Sequence, residues 1–237
     1  PTDSAAAGRL VIVGGGLNRD NEAVYRAVLE GRSGSAPLCI IPTASGGDPV
    51  ETIAGSVAAF ERWGGAGSAR GINLSRDNAD AAADAGVVRD IAECGGFWFT
   101  GGVQSRVSTV FRPRGGTTPA FEALRARHRT GAVIAGSSAG AAIMSDPMIA
   151  AGSTTGALIH GVTRIPAEAD EDDDADPVAG VAISTGLGFL PNAIVDQHFL
   201  ARGRIGRLIA AVTELDEYDL GFGIDENTAL VVEGDIA

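Results

Sequence analysis

The residues best placed to do chemistry lie at 132–144, where the apolar run Ala132-Val133-Ile134-Ala135 enters Gly136-Ser137-Ser138-Ala139-Gly140 and continues into Ala141-Ala142-Ile143-Met144. A strand that ends at Gly-x-Ser-x-Gly and turns at once into a small-residue helix is the setting of a nucleophile elbow. The sharp turn strains the backbone of its central residue, so the positions two before and two after must be small. Gly136 and Gly140 meet that condition around Ser138. The hydroxyl would stand on the carboxyl edge of a sheet, with the Ala139 amide aimed at the oxyanion that acyl transfer develops. The competing reading is a plain strand-to-helix connection with incidental glycines, since the chain carries 34 of them.

An elbow serine needs a general base. The chain offers His128, His160 and His198. His128 sits among Arg125, Arg127 and Arg129 at a predicted helix end and reads as solvated, while His160, in Leu158-Ile159-His160-Gly161, reads as an ordinary loop or core histidine. His198 closes the run Ile194-Val195-Asp196-Gln197. Open α/β sheets gather their sites at such strand ends, which makes His198 the favoured base. A carboxylate must fix its tautomer. Asp225 and Glu226 come from the end of a later strand, predicted over 223–225. Neighbours on an extended chain point to opposite faces, so only one of the two can serve. Asp196 is a weaker candidate, two residues from the histidine. In α/β-hydrolases the acid precedes the histidine; here it would follow.

Composition removes many alternatives. The 237 residues are 45% hydrophobic and 20% charged, a globular balance that can bury a core. All 18 basic residues are Arg, and there is no Lys. That excludes P-loop nucleotide hydrolysis, Schiff-base and pyridoxal chemistry and Ser-Lys dyads. The formal charge of −12 argues against a nucleic-acid partner. No apolar run approaches the roughly 20 residues that span a bilayer. Cys39 and Cys94 are too few for a structural zinc site, so no metal and no cofactor are expected. Cys39, inside Pro37-Leu38-Cys39-Ile40-Ile41, reads as a buried core thiol, with no disulfide framework and a reducing cytoplasm as the expected setting. The chain begins with Pro1 rather than Met, which leaves export after removal of a leader as the alternative.

The elements that must position these residues alternate short β-branched strands with longer helical segments. This is the pattern of an α/β fold with a mostly parallel sheet and helices on both faces. Strands are predicted over 10–13, 37–41, 71–74, 96–100 and 132–136, and helices over 21–30, 49–63, 84–93, 104–111 and 118–129. Further on, 178–190 and 193–195 read as strands, 204–215 as a helix and 223–225 and 228–232 as short strands. The acidic run at 168–176 has no apolar period and reads as a solvated loop. No linker or repeat interrupts the chain.

Taken together, Gly14-Gly15-Gly16, Phe99-Thr100-Gly101-Gly102-Val103-Gln104, the elbow, Asp196-Gln197-His198-Phe199 with Arg202, Arg204 and Arg207, and Gly223-Ile224-Asp225-Glu226-Asn227-Thr228-Ala229 resemble the cyanophycinases and the related peptidase E-type aspartyl dipeptidases. The resemblance covers nearly the whole chain. It implies a single-domain, flavodoxin-like fold of the class I glutamine amidotransferase type, and a serine peptidase. Cyanophycin is a poly-aspartate with arginine on each β-carboxyl, so the implied activity is hydrolysis of that polymer or its fragments to β-Asp-Arg dipeptides. An aspartyl or isoaspartyl dipeptidase, or an inactive amidotransferase-like binding domain, are the alternatives. Residue by residue, the resemblance implies Ser138 as nucleophile, His198 as base, Glu226 as the orienting acid, Gly102 and Ala139 as oxyanion donors, and Gln104, Asp196, Gln197, Arg202, Arg204 and Arg207 around the substrate. A homodimer is the expected assembly. Physical reasoning agrees for Arg204 and Arg207, three apart on a helix face where guanidinium forks can grip carboxylates; a solvated helix face is the other reading. Val103 departs from the acidic residue usual before the glutamine. Relatives also continue beyond position 237, so the expectation is one domain over 1–237 lacking its last strands.

Overall fold

The computed structural model describes residues 7–166, 179–216 and 218–234. The acidic run at 168–176 lies outside them. The chain opens with β1 (Leu10–Val13), α1 (Glu22–Glu30), β2 (Leu38–Ile41), α2 (Pro49–Gly64), β3 (Ala69–Gly71), α3 (Ala85–Ala92) and β4 (Gly96–Phe99). It continues with α4 (Gln104–Phe111), α5 (Pro119–Arg129), β5 (Val133–Ser137) and the one-turn α6 (Ala139–Ala142). Then come β6 (Met148–Gly152), α7 (Thr154–His160), β7 (Val162–Arg164), β8 (Val181–Ser184), β9 (Ala193–Gln197), α8 (Ile205–Glu214), β10 (Leu220–Ile224) and β11 (Ala229–Val232).

The main sheet has the order β11-β1-β5-β4-β2-β3. Its first five strands in sequence run parallel and β11 closes the edge antiparallel. Strands buried on both faces need no alternation, and β1, β2 and β4 are apolar throughout. One face packs Val11, Val13, Ile40 and Trp98 under Val28 of α1 and Phe60 of α2. The other packs Ile12, Ile41, Phe97 and Phe99 under Ile91 of α3, Phe111 of α4 and Leu124 of α5. The helices start where the sequence supplies caps: Asn21 accepts from the Val24 amide, and Asp48 accepts from the amides of Val50 and Glu51 ahead of Pro49.

Two smaller sheets complete the domain, a parallel β9–β10 pair and β6-β8-β7. The pair is tied to the main sheet where the His198 amide donates to the Gly14 carbonyl at 2.6 Å. This second half departs most from expectation. The strand predicted over 178–190 shrinks to β8, and β6, α7 and β7 were not foreseen. In the first half the strand predicted over 71–74 sits earlier, at β3, because pairing with β2 runs from Leu38 opposite Ala69 to Ile40 opposite Gly71.

The expectation of free thiols is corrected. Cys39 and Cys94 form a disulfide, 5.8 Å apart at Cα and 55 residues apart in sequence. Because β2 and β4 are neighbours with Leu38 opposite Gly96, the residue two before β4 is delivered to Cys39. The inference from free thiols to a reducing compartment therefore has no basis. Among the described residues no helix is long and apolar enough to cross a membrane.

Thiol titration of the denatured, unreduced protein should find no free cysteine. Chain-entropy reasoning for a loop of this length puts the loss of stability on Cys39→Ala/Cys94→Ala at up to about 4 kcal/mol, checked by denaturant unfolding. Two titratable thiols, or unchanged stability in the double variant, would contradict the pairing.

Candidate active site

Three strand ends meet at the carboxyl edge of the main sheet. The first carries Ser138, whose backbone adopts φ 56 and ψ −111 directly after β5. A non-glycine residue in this region is strained, and elbows hold it by surrounding structure. Here the Ser138 amide donates to the Val13 carbonyl at 3.0 Å, and the Ala141 and Ala142 amides donate to the Ser138 carbonyl. A Cβ at Gly136 would collide with the Gly140 backbone, and one at Gly140 with the Phe99 carbonyl. Both flanking glycines are thus explained by close backbone approach.

The second strand end carries His198, itself at φ 46. Its Nε2 lies 2.9 Å from Ser138 Oγ, and its Nδ1 lies 2.5 Å from Glu226 Oε1. The ring is packed over Gly15, where a Cβ would collide with the imidazole, and a Cβ on Gly16 would reach Glu226 at 3.2 Å. The Gly14-Gly15-Gly16 run is therefore a seat for the imidazole and the Glu226 side chain. The third strand end brings Glu226 after β10. Asp225 turns the other way and accepts from the Ala201 amide at 3.2 Å; backbone N–H donors, those of Glu226 and Ala201 foremost, hold its carboxyl below the usual carboxylate range. The loop after β10 is tied down by Asn227, whose side-chain oxygen accepts from the Asn18 amide and the Asn21 side chain.

The remaining residues are distributed as follows. Gly102, at φ 138, sits where a Cβ would strike the Ala44 carbonyl, and Gly101 beside it would place a Cβ 3.5 Å from Ser138 Cβ. The β4–α4 connection thus lies against the elbow, and Ala139, which follows Ser138, is buried. Gln197 Oε1 is 3.4 Å from Ser138 Oγ. Gln104 is turned toward β6, its buried amide donating to the carbonyls of Ile149 and Ala150. Asp196 is 1% exposed and forks onto Arg207, with Nε–Oδ2 at 2.7 Å and Nη2–Oδ1 at 2.5 Å. Arg207 also donates to the Gly152 carbonyl, and Arg204 to the Gln197 carbonyl, both at 2.7 Å. Burial, reinforced by Arg207 and opposed by Asp196, lowers Arg204 to about 10. Arg202 is exposed on the turn after His198. Of the other histidines, His128 is buried rather than solvated, its Nδ1 3.1 Å from the Ala132 carbonyl, and burial pushes its pKa down. A cavity of about 410 Å³ adjoins the elbow through Gly101 and Ser137, with Arg19, Glu51 and Thr100 on its walls. Those residues come from separate elements, and no local sequence pattern unites them.

An elbow serine, an imidazole and a carboxylate joined in line by hydrogen bonds are the parts of a serine-type hydrolase. The model of peptidase family S51 matches residues 10–237, and the chain belongs to that family: it is a serine-type peptidase. Among its relatives, the cyanophycinase of Trichormus variabilis is 34% identical over 238 residues, spanning 99% of this chain and 70% of that protein. That of Synechococcus elongatus is 34% identical over 165 residues, 69% of this chain and 44% of the relative. A peptidase structure from an acI-B1 actinobacterium shares the fold, with a TM-score of 0.65 at 19% identity over 97% of this chain and 84% of its own.

The buried Asp196–Arg207 fork yields a stability prediction. Arg207→Ala strips the buried Asp196 carboxylate of its forked partner, leaving it the Gln197 amide and Arg204 Nη1 at 3.8 Å, and should cost about 3–5 kcal/mol in denaturant unfolding. A loss within about 0.5 kcal/mol, as for a solvated helix face, would contradict the burial.

Proposed function

We propose that this peptidase hydrolyses cyanophycin or its fragments to β-Asp-Arg dipeptides, with Ser138 as nucleophile, His198 as general base and Glu226 as the acid that orients it. The observation that carries the reading is the unbroken line from Glu226 through His198 to Ser138, in a chain whose relatives are named cyanophycinases. Glu226, accepting from Nδ1–H, holds the tautomer in which Nε2 is free to accept the serine proton. The hydroxyl oxygen attacks the scissile carbonyl as its proton passes to Nε2. The Gly102 and Ala139 amides receive the oxyanion, and collapse expels the amine with the proton from His198. Water then repeats the sequence on the acyl-enzyme.

The substrate is rich in carboxylates and guanidinium groups. Arg202 lies on the turn after His198 and Arg204 directly behind it, and a guanidinium fork suits a carboxylate. Arg207, committed to Asp196, acts instead by fixing the strand that delivers His198.

Release of β-Asp-Arg from cyanophycin, followed as new free amine, is expected of the wild-type chain. It should fall by at least about 10⁴-fold in Ser138→Ala with the fold retained. Turnover of α-aspartyl dipeptides without the polymer would move the assignment to an aspartyl dipeptidase. Glu226→Gln should lower kcat by about 10³–10⁴-fold, because the tautomer is no longer held. Asp225→Asn should change it less than about threefold; the reverse ranking would transfer the role to Asp225.

A further inference from the structure

The cavity beside the elbow takes no part in the proton relay, yet four of its features call for a ligand. It lies between α1, α2 and the carboxyl ends of β4 and β5, and its volume of about 410 Å³ is that of a small-molecule site. Thr100, on its wall, is 6% exposed, and its hydroxyl is buried without a hydrogen-bond partner among the described residues. Buried hydroxyls are nearly always partnered, so an orphan on a cavity wall is accounted for by what enters the cavity. Arg19 and Glu51 line the same space, and neither side chain has an ion-pair partner among the described residues, each other included. The Arg19 charge acts on the inner wall, where it opposes the burial that raises the Tyr25 phenol. The floor is aromatic: Tyr25 packs edge-on to Phe60 and Phe60 to Trp98, each pair with centroids 5.0 Å apart.

A cavity with one unpaired cation, one unpaired anion, an orphan hydroxyl and an aromatic floor matches a ligand bearing both charges on a flexible, partly apolar stem. We propose that this cavity is the subsite for an arginyl residue of the substrate, linked through its α-amino group, with Glu51 receiving the guanidinium and Arg19 the free α-carboxylate. The inference rests on the reading that the substrate carries β-linked arginine. Opening past Gly101 and Ser137, the cavity would seat that arginine beside the bond presented to Ser138. The guanidinium would meet a carboxylate in fork geometry over π faces, and a neutral isostere would forfeit both interactions.

The test compares binding of β-Asp-Arg and β-Asp-citrulline, in which a neutral urea replaces the guanidinium, by calorimetry on Ser138→Ala protein. The Ser138→Ala chain should prefer the arginine ligand by about 10- to 100-fold, and adding Glu51→Gln should reduce the preference to within about threefold. Adding Arg19→Gln instead should abolish the preference for β-Asp-Arg over its C-terminal amide. Glu51 is exposed on the first turn of α2, and thermal unfolding of each variant verifies that the fold is kept. Discrimination that survives Glu51→Gln, or no binding of β-Asp-Arg at all, overturns the subsite. If wild-type protein degrades cyanophycin while discrimination survives Glu51→Gln, the subsite alone falls. If it leaves the polymer intact but discriminates through Glu51, the subsite stands and the polymer assignment falls.

Discussion

His198 is held by four contacts, one on its backbone and three on its ring, and the rest of the site is arranged around that confinement. Its backbone, at positive φ, is pinned by the 2.6 Å bond to the Gly14 carbonyl, and its ring lies over the bare Cα of Gly15. Its two nitrogens face Ser138 and Glu226. Each partner comes from a different strand end: β1 supplies the seat, β5 the hydroxyl, β9 the imidazole and β10 the carboxylate. No two of these contacts are local in sequence, so the arrangement exists only when the main sheet and the β9–β10 pair are docked. Glycine is required at 15 because any side chain would occupy the volume of the ring. The same logic of close approach explains the elbow, where backbone passes backbone at Gly136 and Gly140 and leaves Ser138 no relaxed conformation.

Docking of β9 depends in turn on charge. Asp196 lies one turn-residue pair before His198 and is almost wholly buried. A carboxylate in that position is tolerable only with full compensation, which the Arg207 fork and the Gln197 amide provide. Through Arg207 the strand is bound to α8 and, by the Gly152 carbonyl, to β6. The sequence motif that resembles a substrate cradle is thus partly a brace. Arg204 shares both worlds: it donates to the Gln197 carbonyl, and burial, reinforced by Arg207, lowers its pKa to about 10.

Much of the site is legible in the chain because its determinants are steric and short-range. Gly-x-Ser-x-Gly after an apolar strand announces the elbow, β1 and α4 fall on their predicted bounds, and strand alternation already allows only one of Asp225 and Glu226 to face the histidine. What was not legible depends on long-range neighbours. The disulfide needs β2 beside β4, which spacing in sequence does not reveal. The burial of Arg207 needs β9 beneath α8, and helix periodicity does not distinguish a solvated arginine from one forked onto a buried aspartate. The strands β6 and β7 and the helix α7 were missed because short segments rich in Ala, Gly and Thr have no strong period. The cavity beside the elbow assembles Arg19, Glu51 and Thr100 from three elements that no motif connects.

The most direct test of the central claim, that Ser138 is activated by His198, is peptide mapping after treatment with a fluorophosphonate. This probe needs an activated serine but no substrate recognition. A single adduct on Ser138, lost in His198→Ala protein that keeps its fold, is the expected result. An adduct on the adjacent Ser137, or labelling of Ser138 that persists without His198, would contradict it.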